Sequence, residues 1–447
     1  MIGTAPEVSA HPAVQTAHWL ARPIGFLETN RRRYGDTYGI KLLGFRRTTV
    51  LLSDPEHLRA LYTGFQHPLA PGRATTLRPV LGDDSVLLLE GEAHLQRRRL
   101  MLPPFHGERM RAYESTVREI AEREMATWPE GRPFPLHPRM QAITLQVILR
   151  AVFGVTDSDR RTELSGLLAH LVRGTSSRRA QLRVLRARGG RGGRDPFSEL
   201  HELERKIDAL LYAEIAERRD ESDPAEREDI LSLLVAAEFD DGSRMSDREL
   251  RDQLMTLLLA GHETTATALA WAFELLLHNA GPLQRLYDEL ESGDGDAYQR
   301  AVVWESLRLR PIVPFAGRRL GADLEAEGLH LPEGTDVTPA IWLTHTRPDL
   351  YPEPYEFRPE RFLDGPPTTY GWIPFGGGIR RCLGAAFAEL EMRVVLETVL
   401  LGRDLRPASA KPEVIARRNV TLSPKKGTEV IAGAPRVAAR SASATVA

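Results

Sequence analysis

Phe375-Gly376-Gly377-Gly378-Ile379-Arg380-Arg381-Cys382-Leu383-Gly384 is the stretch on which the reading of this chain turns. It sets the sole cysteine of 447 residues after a glycine-rich bend and at the start of a helical run, Leu383 to Leu400. One cysteine rules out an internal disulfide framework, so the thiol is either incidental or has a chemical task. Taken alone, a single cysteine reads as an inert core residue. Its neighbours argue for the task. Helix N-termini and nearby arginines stabilise a thiolate, and backbone N–H groups aimed at the sulfur temper its charge. The glycines also admit a flat cofactor close to the main chain.

Upstream lies the longest helical pattern. Ser246 followed by Glu249 is a capping box, and the pattern continues to about Asn279, where Gly281-Pro282 ends it. That makes roughly 33 residues, or about 50 Å, enough to cross the molecule. Within it, Ala260-Gly261-His262-Glu263-Thr264-Thr265 interrupts two strongly apolar stretches. Polar groups on a core helix are costly unless hydrogen-bonded or functional. Ala260 and Gly261 let a flat ligand approach, and Thr264 can bond back to a carbonyl and open a kink. Further on, Glu305 and Arg308 share a helix face, as an exposed ion pair would. The apolar Ala301-Val302-Val303-Trp304 and Leu307 around them point instead to a buried pair that needs a third partner.

The rest of the chain is mainly α with a small β region. The segment before about Pro23 is weakly periodic, and Tyr38 to Leu42 and Thr48 to Leu52 read as two strands joined by a Gly-Phe-Arg-Arg turn. Apolar residues at three- and four-residue spacing predict helices over 92–102, 109–127, 139–153, 162–172 and 197–218. Positions 173–195, rich in Arg, Gly and Ser, read as a solvated or mobile connection, and 220–229 as an acidic linker. Short strands and proline turns follow Pro311, with a strand pair around Val420 and Val430. Residues 1–435 read as a single domain and 436–447 as a disordered tail.

A hydrophobic fraction of 42% and a charged fraction of 27% belong to an ordinary globular protein. The formal charge of -2 gives no overall basic field for nucleic acid. No run long enough to span a membrane and no secretory leader are seen, so a cytoplasmic location is expected.

The stretch from Phe375 to Gly384 resembles the haem-binding signature of the cytochrome P-450 superfamily. Glu305-Ser306-Leu307-Arg308 is similar to that family's Glu-x-x-Arg, Pro359-Glu360-Arg361-Phe362 to the segment completing its salt-bridge triad, and Ala260 to Thr265 to its oxygen-activation segment. The resemblance implies the cytochrome P-450 fold, with haem b (iron protoporphyrin IX) clamped between the long helix and the cysteine loop. It implies that Cys382 is the axial ligand of the haem iron and that Glu263 and Thr264 are the acid and alcohol that relay protons to dioxygen. Glu305, Arg308 and Arg361 would form the structural triad. His94 and Arg98, four apart on one helix face, match the propionate-binding helix, and Arg318, which has Arg319 beside it, and Arg380 match further propionate positions.

The activity so implied is haem-dependent monooxygenation: one atom of O₂ enters a hydrophobic organic substrate, with electrons from NAD(P)H reaching the haem through a separate ferredoxin or flavodoxin and its reductase. Arg97, Arg99, Arg109 and Arg381 are the basic patch to which such an acidic donor would be steered. The substrate pocket would be lined by 71–89, Leu258, Ala260, Val313 to Phe315 and 419–421. Two other classes fit the cysteine: a peroxide-driven or rearranging haem-thiolate enzyme, which would not need Glu263 and Thr264, and a haem-based sensor, which would need no substrate cavity.

Overall fold

The computed structural model describes residues 5–436 apart from 45–46, 64–68, 71–76, 106, 108, 155–157, 177–197, 222–226, 228 and 419–420. Near the N-terminus proline begins helices. Pro12 and Pro23 hold the first positions of Pro12–Ala21 and Pro23–Tyr34, where the missing N–H forfeits no intrahelical bond and the fixed φ is already helical. The weakly periodic segment before Pro23 thus holds one short helix and a second follows it, and together they bury Trp19, Phe26 and Leu27 against the first sheet.

The helices that frame the interior are α1 (Gly91–Met101), α2 (Arg109–Met125), α3 (His137–Phe153), α4 (Ser198–Asp220), α5 (Asp247–Leu277), α6 (Ala297–Leu309) and α7 (Ala385–Gly402). Six of them lie within a few residues of their expected positions, and α6 is the helix on which Glu305 and Arg308 were expected to share a face. At the start of α5 both bonds of the capping box form: Ser246 N–H donates to Glu249 Oε2 at 2.8 Å and Glu249 N–H to Ser246 Oγ at 3.3 Å. Its 31 residues run unbroken, packed against α3, α4, α6 and α7. A helix apolar on almost every side is stable only when covered on all of them. Leu250, Leu254, Leu269, Phe273 and Leu276 accordingly have no exposed surface.

The strands are β1 (Thr37–Ile40), β2 (Thr49–Leu52), β3 (Leu69–Ala70), β4 (Pro133–Pro135), β5 (Arg318–Leu320), β6 (Leu324–Ala326), β7 (Leu329–Leu331), β8 (Asp336–Pro339), β9 (Arg403–Pro407), β10 (Ile415–Arg418), β11 (Thr421–Pro424) and β12 (Glu429–Pro435). The largest sheet runs β1-β2-β8-β5-β3, with Tyr38 opposite Leu51 and β2 parallel to β8. The pairing expected between the segments near Val420 and Val430 does not form. β11 pairs with β10, while β12 pairs with β9 and β4. Gly427 and Thr428 both take positive φ, 83° and 56°, and turn the chain out of the hairpin.

Two other expectations change. Positions 173–176 continue a helix, Ser158–Ser176, and the remainder of the Arg-Gly stretch falls outside the described residues. Asp229, placed in an acidic linker, is buried, caps Ile230–Ala236, and pairs with buried Arg218 at 2.6 Å. The expected tail lies outside the described residues from 437 onward. Among the described residues no helix is long and apolar enough to cross a membrane.

Candidate active site

Cys382 lies two residues before Gly384, the N-cap of α7. Its N–H donates to Phe375 O at 2.9 Å, closing the loop, and the Gly384 N–H is directed at the sulfur. Protein crowds the thiol enough that burial raises its pKa, opposed by that N–H and by the charges of Arg98 and Arg381. Yet Cys382 is exposed. Both observations hold for a side chain lining an internal hollow. Ala260, exposed in the middle of buried α5, is a second wall of the same kind.

The glycines also serve the packing of the loop. A Cβ on Gly377 would lie 2.6 Å from the Tyr62 ring, and one on Gly378, whose φ is +60°, 2.7 Å from Tyr62 O. Both are needed for the loop to pack on Tyr62. At Gly376, with φ +69°, a Cβ meets nothing within 4 Å.

Glu305 and Arg308 of α6 are wholly buried. Arg308 Nε and Nη2 donate to the carboxylate at 2.6 and 2.8 Å, Arg361 Nε at 3.1 Å and the Arg358 N–H at 2.9 Å. The remaining Arg308 donors reach the carbonyls of His345, Pro354 and Glu356. Fully buried His345 carries the arrangement onward. Its Nδ1 lies 3.0 Å from Arg308 O, and its Nε2 accepts from the Ile373 N–H at 2.8 Å. Neutral imidazole donates from one nitrogen only, so Nδ1 bears the proton. The three predicted triad residues meet, and His345, which the sequence did not single out, ties them to the segment entering the cysteine loop.

His94, Arg98, Arg318 and Arg380 also converge. Burial pushes His94 down to about 3, helped by Arg380, Arg98 and Arg318. Burial likewise lowers Arg380 to about 10, with Arg318 and Arg98 adding to the effect and Glu90 opposing it. Arg380 donates to Leu89 O at 2.6 Å. His94 Nδ1 is buried with no hydrogen-bond partner among the described residues. Strand alternation settles which arginine of the 318–319 pair turns inward: Arg319 bonds Asp336 at the surface, whereas burial lowers the pKa of Arg318.

On α5 the two polar side chains diverge. Thr264 Oγ1 donates to Ala260 O at 2.6 Å, the expected back-bond, though without a break in the helix. Glu263 turns toward α3, where Gln141 Nε2 donates to its Oε2 and His137 Nε2 lies 3.7 Å from Oε1. Burial raises its pKa, opposed by Gln141 and Arg418. Gln141, His137 and Arg418 were not singled out from the sequence.

The basic patch forms only in part. Arg97 turns inward and bonds Glu249, and Arg99 is tied to Asp240 at 2.9 Å, while Arg381 is exposed. The side chain of Arg109 is outside the described residues. Of the expected pocket, 71–76 and 419–420 are outside them too; Leu87 is exposed and Leu258 buried.

The family model described as Cytochrome P-450 matches residues 6–432. A Mycobacterium tuberculosis protein named "Putative cytochrome P-450 135B1" is 39% identical, covering 99% of this chain and 94% of its own length. "Putative cytochrome P-450 138" from the same species is 38% identical over 95% and 97%. Among solved structures, a retinoic acid-bound cyanobacterial CYP120A1 superposes with TM-score 0.82 at 24% identity, covering 97% of this chain and 99% of that one.

Proposed function

The chain belongs to the cytochrome P-450 family and is a haem monooxygenase, and from that premise we propose how its residues hold haem b and move protons, within one catalytic domain spanning 1–435. The residues fit the group. Cys382 supplies the thiolate ligand, its charge tempered by the Gly384 N–H and by Arg98 and Arg381. His94, Arg98, Arg318 and Arg380 would take the two propionates, which would relieve the mutual repulsion of three half-buried arginines. His94 Nδ1 is the donor that a carboxylate would satisfy. Ala260 keeps the facing surface of α5 low, while Gly261 lets Ile148 of α3 pack close, at 3.2 Å from where a Cβ would lie.

When bound, the haem supplies the redox chemistry that activates dioxygen, one atom entering the substrate and the other leaving as water. The chain supplies geometry and protons. Thr264, anchored to Ala260 O, holds its hydroxyl oxygen toward the hollow, and Glu263 is the acid that resupplies it. The Glu305–Arg308–Arg361 triad, through His345 and Ile373, fixes the cysteine loop. Electrons come from NAD(P)H through a separate ferredoxin or flavodoxin and its reductase, approaching at Arg381. The substrate is hydrophobic, matching Leu87, Ala260 and the Val313–Phe315 segment. The location is cytoplasmic.

The observation that carries this reading is the sole cysteine, open to an internal hollow on a loop braced by a wholly buried ion pair. Supplying the haem-loaded protein with ferredoxin, reductase, NADPH and a panel of fatty acids, terpenes, steroids and polyketides tests it. Product that needs both oxygen and NADPH is expected. Product from peroxide alone, with no gain from NADPH, would make the chain a peroxygenase; a haem spectrum that responds to gases but to no member of the panel would favour a sensor.

A further inference from the structure

Glu263 faces a string of hydrogen bonds that the proton-relay assignment does not use. His137, at the start of α3, is buried, and both its ring nitrogens have neighbours. Nη1 of Arg418, the last residue of β10, lies 3.4 Å from Nδ1. A guanidinium has donors only, so Nδ1 accepts and the proton of the neutral ring sits on Nε2. That N–H is 3.1 Å from Thr267 Oγ1. The Thr267 hydroxyl already donates to Glu263 O at 2.9 Å, so it accepts from His137. The donors run one way, from Arg418 through His137 and Thr267 to the Glu263 backbone, with Glu263 Oε1 the next acceptor within reach of the same N–H.

The string is not a proton route. Burial, with Arg418 adding to it, pushes His137 down to about 3, so the ring is neutral in ordinary buffers. Nor does a permanently charged guanidinium release a proton to it. What the string fixes is orientation.

Resting on the proposed role of Glu263, we propose that His137 is a positioning residue for that acid, held in its Nε2–H tautomer by Arg418, so that one chain of hydrogen bonds joins the C-terminal hairpin to the backbone carbonyl of Glu263, with the carboxyl 3.7 Å from the same N–H. Gln141 holds the carboxylate on the α3 side of the helix, with His137 Nε2 3.7 Å from Oε1, and proton delivery requires it to leave Gln141. The charged and titratable groups on this side are His137 from α3, Arg418 from β10 and, on α5 itself, His262, which acts on His137. Among the described residues no second carboxylate acts on Glu263.

The test uses the full haem-loaded chain in its diamagnetic ferrous carbon monoxide form. Histidine ¹⁵N spectra, with His137→Phe as the assignment control, are expected to show His137 as the Nε2–H tautomer, to lose that single state in Arg418→Ala and to regain it in Arg418→Lys. Infrared titration of the Glu263 carboxyl, identified by its absence in Glu263→Gln, should shift to higher pH in Arg418→Ala, which loses a cation, and in His137→Phe, which loses the N–H dipole facing Oε1. Arg418 lies at a partly exposed strand end, so its variants still test the link if His137→Phe does not fold. An unchanged tautomer in Arg418→Ala, or a Glu263 titration that neither variant moves, overturns the proposal. If Glu263→Gln turns over at the native rate, the acid's proposed role fails instead, whatever the spectra show.

Discussion

Replacing Glu305 with alanine removes the acceptor at the centre of the triad. Four donors lose their partner: two from Arg308, one from Arg361 and the Arg358 N–H. Arg308, with no exposed surface, keeps its charge. Stranding one member of a buried pair costs about 3–5 kcal/mol, against a total domain stability of about 5–15 kcal/mol. At about 1.4 kcal/mol per decade, the folded-to-unfolded ratio falls by roughly two to three and a half orders of magnitude. Glu305→Gln keeps the shape and one acceptor oxygen and should fall between. Glu305→Leu with Arg308→Met removes the stranded charge but leaves the carbonyls of His345, Pro354 and Glu356 without their donors, so it should recover only part of the loss. Denaturant titration followed by circular dichroism, with haem content read from absorbance, measures the effect. A Glu305→Ala protein that keeps its full haem content and loses less than about 1 kcal/mol would behave as an exposed pair does, and would refute the reasoning.

Thr264→Ala should still bind haem and accept electrons while diverting them to hydrogen peroxide, whereas Glu263→Gln should slow turnover by about 10²–10⁴-fold; measuring NADPH, peroxide and product together checks both. His345 and His137 are neutral when folded, each pushed down to about 3 chiefly by burial, while the unfolded rings take up protons near pH ~6.5. The unfolded state therefore binds more protons below that pH, and stability should fall on acidification by up to about 2.7 kcal/mol per pH unit from this pair; His345→Gln should flatten the dependence of the denaturation midpoint between pH ~6 and ~4. Gly377→Ala should cost about 1–3 kcal/mol through its clash with the Tyr62 ring, and Tyr62→Leu should relieve it, since Gly377 has an extended backbone that any residue adopts; thermal denaturation of the single and double variants decides.

What could be read from the sequence was what local chemistry encodes. The start of α5 was legible because Ser246 and Glu249 lie one helical turn apart, and the Glu305–Arg308 pair because both sit on one face of a helix with apolar neighbours. The surroundings of Glu263 were not, since Gln141, His137 and Arg418 are more than a hundred residues from it in sequence and carry no pattern of their own. Arg97 misled for a different reason. α1 is so polar that its buried face, His94, Arg97 and Met101, shows only as spacing, and four successive basic or amide residues from Gln96 to Arg99 hide which of them turns in. The strands near Val420 and Val430 read as a hairpin because nothing in the sequence marks Thr428 as left-handed. That conformation is imposed by Glu413, whose Oε2 accepts from the N–H groups of Lys426 and Thr428.

The measurement that bears most directly on the central claim is the absorption spectrum of the ferrous carbon monoxide complex in the native protein and in Cys382→Ser. With no other cysteine in the chain to substitute, the native protein should show the red-shifted Soret band of thiolate-ligated haem, and the variant, folded by circular dichroism, should lack it. A Cys382→Ser protein that retains that band would contradict the assignment of Cys382 as the ligand.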